Sequence, residues 1–269
     1  MWRIALAAAV AVVACVAASL LLEGGSGGAG GAAGGYRAAG GHGAAGAAGS
    51  HGAAGAAGAA ARLVGKGSAT RAVLVAASRV GTVSLQGVSG SLSIVGTGTG
   101  QVMLTGQLHW AGAAPVVETR LNRASGVLTV SVRCAPASPC TQDLRLAVPA
   151  DTGTSVRQPG GRLVVAGLVG PLRIVAANVD ISASGLRSPE LAVAITAGHL
   201  SATFAAPPRQ VTIALASAQA TLRLPAWVTY QVTREVTSGY VSDAIPQAGS
   251  AARTVNVRIN SGELELLPS

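Results

Sequence analysis

An all-β repeat domain, held outside the cytoplasm behind an apolar amino-terminal segment and a flexible tether, is the fold class this sequence predicts. Three observations predict it. Apolar and polar residues alternate over short runs after Leu63, a degenerate repeat of about twenty residues marks the second half, and glycine crowds the segment before the alternation begins. Alternation at period two is the signature of half-buried strands. No window of a dozen residues carries a capped helical stripe.

The first segment, Ile4 to Leu22, reads IALAAAVAVVACVAASLLL and holds no charge. As a helix it would reach roughly 28 Å, close to one hydrocarbon core. Arg3 precedes it and Glu23 follows, so the positive-inside bias places the short amino end in the cytoplasm and the rest outside. That describes an uncleaved signal anchor over residues 1–23 and a single-pass membrane protein. Two alternatives stay open. Ala17-Ala18-Ser19 could close a cleavable signal peptide, leaving a secreted chain. Val12-Val13-Ala14-Cys15 has the form of a lipobox, with Cys15 as the candidate lipidated residue of a lipoprotein. As an ordinary residue of the span, Cys15 would be a small, inert apolar side chain.

Residues 24–62 are almost wholly Gly and Ala, with Tyr36, Arg37, His42 and His51 interspersed. The tract has no large apolar residue to bury, and ordering its glycines is entropically costly. It is expected to be a disordered linker with a mean span of roughly 35 Å. Proline is missing, which excludes collagen. Two histidines on such a tract read as polar filler rather than as a metal site.

The folded domain is expected over residues 63–269. Strand candidates include Val83-Ser84-Leu85, Leu92-Ser93-Ile94, Val102-Met103-Leu104, Val127 to Val132 and Leu144 to Val148. In the second half, six strand–turn–strand units recur, with turns at Gly161-Arg162, Ala177-Asn178, Gly198-His199, Ala218-Gln219, Gly239-Tyr240 and Gly262-Glu263. A unit this small cannot bury its own apolar face, so neighbours must stack. A right-handed, single-stranded β-helix or solenoid accommodates the period. A β-sandwich of regular hairpins is the alternative. Residues 70–148 alternate without a clean period and are read as the start of the same domain. Pro268-Ser269 after Leu264–Leu267 would blunt an exposed sheet edge.

Charge and composition restrict function. The chain carries a net charge of +9, but the arginines are single and only 3% of residues are aromatic. That excludes a basic run or stacking platform for nucleic acid. Beyond the span, Cys134 and Cys140 form an even pair in an oxidising compartment and read as a disulfide closing a short, proline-bent loop. No further Cys or neighbouring His completes a metal set. His109 lies beside Trp110 in an alternating strand, and His199 occupies a repeat position that varies in residue type, as a solvated turn does. No G-x-S-x-G occurs in residues 63–269, and the carboxylates are dispersed along the chain, so neither a serine hydrolase nor a glycosidase pair is indicated. Thr97-Gly98-Thr99-Gly100 lacks a following lysine and reads as a turn, not a phosphate loop. No enzyme activity, metal or cofactor is expected.

The stretches Thr196-Ala197-Gly198-His199-Leu200, Thr237-Ser238-Gly239-Tyr240-Val241 and Asn260-Ser261-Gly262-Glu263-Leu264 look like the "T-x-S-G-D-V" element of a known family. Cys134 through Cys140 into Leu144–Ala150 is similar to that family's paired cysteines before an "L-x-V-P" strand. On these residues the chain resembles the putative-adhesin domain of unknown function found in actinobacterial envelope proteins. The resemblance spans about Val73 to Leu267 and implies one span, a linker and a β-helical repeat domain. It departs in replacing the turn aspartate each time. The functional expectation is a membrane-tethered, extracytoplasmic binding or structural module of unknown ligand. Its expected partners are the membrane, envelope polysaccharide or another envelope protein. A sensor or regulatory accessory protein acting through a membrane partner is the alternative.

Overall fold

The computed structural model describes residues 67–76, 80–136 and 138–269. The expected anchor, Cys15 and the Gly/Ala tract lie outside the described residues. Among the described residues there is no helix long and apolar enough to cross a membrane.

The described chain is all-β, fourteen strands in one sheet system. Its central part is a parallel ladder of long strands: β8 (Gly153–Ala166), β9 (Leu172–Leu186), β10 (Glu190–Phe204), β11 (Gln210–Leu224) and β14 (Thr254–Pro268). Each stacks in register on the next, so that Thr154, Leu172, Leu191, Val211 and Val255 fall on one line across the strands. The offset from one strand to the next is 18, 19 and 20 residues for the first three steps. The chain returns between them through residues 167–171, 187–189 and 205–209, where Arg187 N donates to Leu168 O and Ala205 N donates to Leu186 O.

The sequence expects a turn in the middle of each repeat, and the structure corrects it. The strands do not reverse there. One residue in each drops out of the pairing at the same level (Pro159, Ala177, Thr196, Ala216, Asn260), and the ladder resumes in the same direction. At that level the buried set changes parity. In β9 the buried residues are Leu172, Ile174 and Ala176, then Val179, Ile181 and Ala183. In β10 they are Leu191, Val193 and Ile195, then Leu200, Ala202 and Phe204. A strand that bends around its core must change which alternate residues face inward, and an unpaired residue is how a ladder absorbs the bend. Gly198 and Gly262, at φ +117° and +143°, lie just past the bend, where a Cβ would run into a backbone carbonyl of the neighbouring strand. The turn glycines take positive φ, but the strand does not reverse there.

Spatial order departs from chain order at both ends. The sequence reads Leu264–Leu267 as a last strand at an exposed sheet edge. Instead, β14 lies between β11 and the pair β12 (Gln231–Val236) and β13 (Tyr240–Asp243). Pro268 is opposite Leu224 on β11, two residues past the last pairing of β14 with β13. At the other end, β2 (Thr82–Gln86) and β3 (Ser89–Thr97) lie between β8 and the pair β6 (Val127–Arg133) and β7 (Cys140–Pro149). The same stacking therefore extends into the half that lacks a clean period. Three antiparallel strands complete that end: β4 (Gln101–Trp110) on β7, β1 (Gly67–Ala76) on β4, and β5 (Val116–Asn122) on β6.

The core is a continuous file of Val, Leu and Ile, with Phe204 and Tyr230 its largest aromatic members. Two glutamines are buried within the stack and satisfy backbone. Gln142 Oε1 accepts from Ser89 N at 2.6 Å. Gln158 Nε2 donates to the carbonyls of Gly90, Gly160 and Arg162 at 3.1 to 3.3 Å. Buried amides persist where such partners exist.

Candidate functional site

Parallel, in-register pairing turns sequence repetition into columns of side chains. Beyond the bend, one outward column runs Arg162, Asp180, His199, Gln219, Glu263 and Tyr240 across β8, β9, β10, β11, β14 and β13. The sequence alignment places Asn178 in this series. The register corrects it to Asp180, which pairs with both Arg162 and His199, because the residue skipped in β9 precedes Asn178. Two residues further along each strand, a second column runs Val164, Ser182, Ser201, Thr221, Glu265 and Ser242. With neighbouring strands about 4.8 Å apart, six tiers extend for roughly 24 Å.

The first column, with the longer side chains, forms a ridge, and the second, with mostly smaller ones, a floor. Between them lies an open groove of about 560 Å³, bordered by Arg162, Asp180, His199, Gln219 and Glu263, with Ser201 and Thr221 beneath. On the other side of the ridge a second depression of about 460 Å³ runs past Gly198, Gly239 and Gly262 and is bordered by Tyr240 and Ser261. His199 Nδ1 lies 3.2 Å from Asp180 Oδ1, with both side chains well exposed. An exposed pair of this kind contributes little to stability. Tyr240 is 64% exposed, a large ring left on the surface at one end of the groove.

Among the described residues, no hydroxyl or thiol donates to His199. Among them, no group of three or more His, Cys, Asp and Glu could hold a metal ion. The carboxylates that are dispersed in sequence come to one surface: Asp180, Glu263 and Glu265 all line the groove. Sequence reasoning missed that gathering. Its signal was the repeat itself, read two residues out of step in β9.

Cys134 and Cys140 are joined in a disulfide, with Cα atoms 6.0 Å apart, between β6 and β7. Gln142 Nε2 lies 3.2 Å from each sulfur, so the buried amide links the bridge to the start of β3 through Ser89. His109 lies on β4 opposite Ser68 and Thr141, in the antiparallel end rather than on the groove. Thr97 to Gly100 forms the bend between β3 and β4, closed by Thr97 Oγ1 and Thr99 Oγ1 at 2.8 Å.

The described chain thus belongs to the class of all-β proteins whose stacked parallel strands carry an extended polar surface groove. No protein-family model and no curated protein matches it. Among solved structures it is similar to a protein of Clostridium sporogenes described as a "putative cell adhesion protein", with a TM-score of 0.48, 12% identity, and coverage of 76% of this chain and all of that one. It is also similar to a "putative adhesin" of Bacteroides fragilis, with a TM-score of 0.38, 10% identity, and coverage of 74% and 97%. A third likeness is to a "putative lipid binding protein" of Parabacteroides distasonis, with a TM-score of 0.26, 8% identity, and coverage of 74% and 96%.

Proposed function

We propose that this chain is a non-enzymatic binding or structural module of the cell envelope, a β-solenoid displayed outside the cytoplasm on a flexible tether behind a single membrane span. The observation that carries this reading is the pair of side-chain columns held in register over six tiers. A surface that repeats along a rigid ladder suits an extended partner better than a small substrate, which needs a few groups converging on one point. The solenoid reading is favoured over a sandwich by the run of parallel pairings at near-constant offset. A parallel connection in one sheet turns right-handed in nearly all proteins, which supports that hand. The membrane span and tether rest on residues 1–62 as read from sequence, with lipidation at Cys15 as the alternative anchor.

The test is retention of the full chain, solubilised in mild detergent, on purified envelope fractions, with the bound material identified as polysaccharide or protein. Polysaccharide retention supports the binding module. Stoichiometric capture of one membrane protein in its place would favour the sensor or accessory reading. Retention by neither would remove both.

A further inference from the structure

From the groove geometry we infer that the site takes a linear glycan without acidic groups, lying along the stacking axis with a sugar face against Tyr240. The inference rests on the binding-module reading above and narrows it to one site and one ligand class.

Four features of the groove lead there. The first is periodicity. Asp180, His199, Gln219 and Glu263 present hydrogen-bonding groups once per strand, at the strand spacing of about 4.8 Å. A polymer of hydroxyl-bearing units can meet such a group at successive tiers, whereas a compact ligand would use one or two. The second is the kind of group. Carboxylates accept from hydroxyls, while the imidazole and amide side chains both donate to and accept from them. The backbone beneath them is paired to a strand on each side, so an added peptide strand finds no free edge there.

The third feature is charge. The chain has 19 basic and 10 acidic residues, yet the groove gathers Asp180, Glu263 and Glu265 against the single guanidinium of Arg162. That is a locally acidic channel on a basic protein. It repels uronates, phosphate-bearing polymers and nucleic acid, and it tolerates neutral or amino sugars. The fourth is the aromatic ring. Tyr240 stands opposite Glu263 in the ladder, one strand beyond the end of the groove, and borders the second depression. An exposed tyrosine next to hydrogen-bonding groups supplies a flat apolar face and a polar tip together, which is what a sugar ring's C–H face and hydroxyl rim require.

The experiment uses the full chain in detergent, titrated calorimetrically with cellohexaose, N-acetylchitohexaose and hexagalacturonate. At least one neutral hexamer is expected to bind, more tightly than its own disaccharide, while hexagalacturonate is not. Tyr240→Ala and Gln219→Ala should each weaken that binding by about tenfold, the effect of one lost aromatic or amide contact. Both side chains are outward-facing, and Arg173→Gln on the other half of β9 should leave binding unchanged. The double variant Glu263→Lys, Glu265→Lys should admit hexagalacturonate. The inference is overturned if neither neutral hexamer binds, if hexagalacturonate binds the unaltered chain equally well, or if the two alanine variants bind as it does. Should the hexamers fail while envelope fractions still retain the chain, the groove assignment falls alone. Failure of both removes the binding-module reading with it.

Discussion

Replacing Gly262 by alanine tests the physical basis of the stack. Gly262 sits just past the bend of β14 at φ +143°, a backbone conformation rarely adopted by residues with a Cβ. An added methyl would point at the carbonyl oxygen of Ala218 on β11, so the obstacle is backbone and cannot rotate away. Holding a non-glycine residue there costs about 1–3 kcal/mol in backbone strain alone. Parting β14 from β11 to relieve the contact would loosen the ladder on which β12 and β13 also lean. The expected loss is therefore about 3 kcal/mol, which for a domain near 200 residues lowers Tm by roughly 6–12 °C. Gly249→Ala is the control. Its methyl meets no atom within 4 Å, and it should be neutral or slightly stabilising through the unfolded chain. Ala218→Gly should fail to rescue Gly262→Ala, because the obstructing atom is the Ala218 oxygen and not its methyl. Urea and thermal unfolding of the four proteins check this. A Gly262→Ala loss within about 0.5 kcal/mol of the Gly249→Ala control would refute the claim that close backbone approach at the bend limits this position.

Burial pushes the Tyr230 phenol up to about 12, partly offset by the nearby Arg253 guanidinium, while its hydroxyl donates to Pro225 O at 3.2 Å. The folded state thus holds the proton more tightly than the unfolded chain does. The stability this contributes is complete below pH 10 and is lost as pH rises from 10 to about 12. Tyr230→Phe should remove that part of the alkaline dependence in urea titrations at fixed pH. Ending the chain after Arg253 deletes β14 and should also release β12 and β13, whose ladder partner is β14. Hydrogen exchange would then show residues 231–243 unprotected while β9 and β10 keep their protection. Severing the Cys134–Cys140 bridge by a double change to alanine should cost about 2 kcal/mol, since it closes a short loop, and should leave the groove on β9–β14 intact.

The strands were legible because their alternation is local. Val83 to Leu85, Val127 to Val132 and Leu144 to Val148 all lie in strands with alternate residues buried, as their pattern requires. The repeat glycines were legible as positive-φ positions for the same reason. The bend was misjudged because glycine beside a polar residue fits a reversal and a bend equally well in sequence. What separates them is whether the next strand continues the ladder, a non-local fact. Likewise nothing in the sequence announces the backbone partners that Gln142 Oε1 and Gln158 Nε2 find inside.

The sequence by itself determined that this chain is built of strands, that they repeat, and that two cysteines fall where a bridge can close. These follow from neighbours along the chain, where the period of two and the reach of a short loop are fixed by covalent geometry. Tertiary structure alone decided which strand lies beside which. Placing β14 between β11 and β12, and β3 between β7 and β8, depends on contacts between segments far apart in sequence. It also decided that Asp180, His199, Gln219 and Glu263 share one surface. Each of these residues lies three positions past the skipped residue of its strand, and only the pairing of the strands fixes where that skip falls.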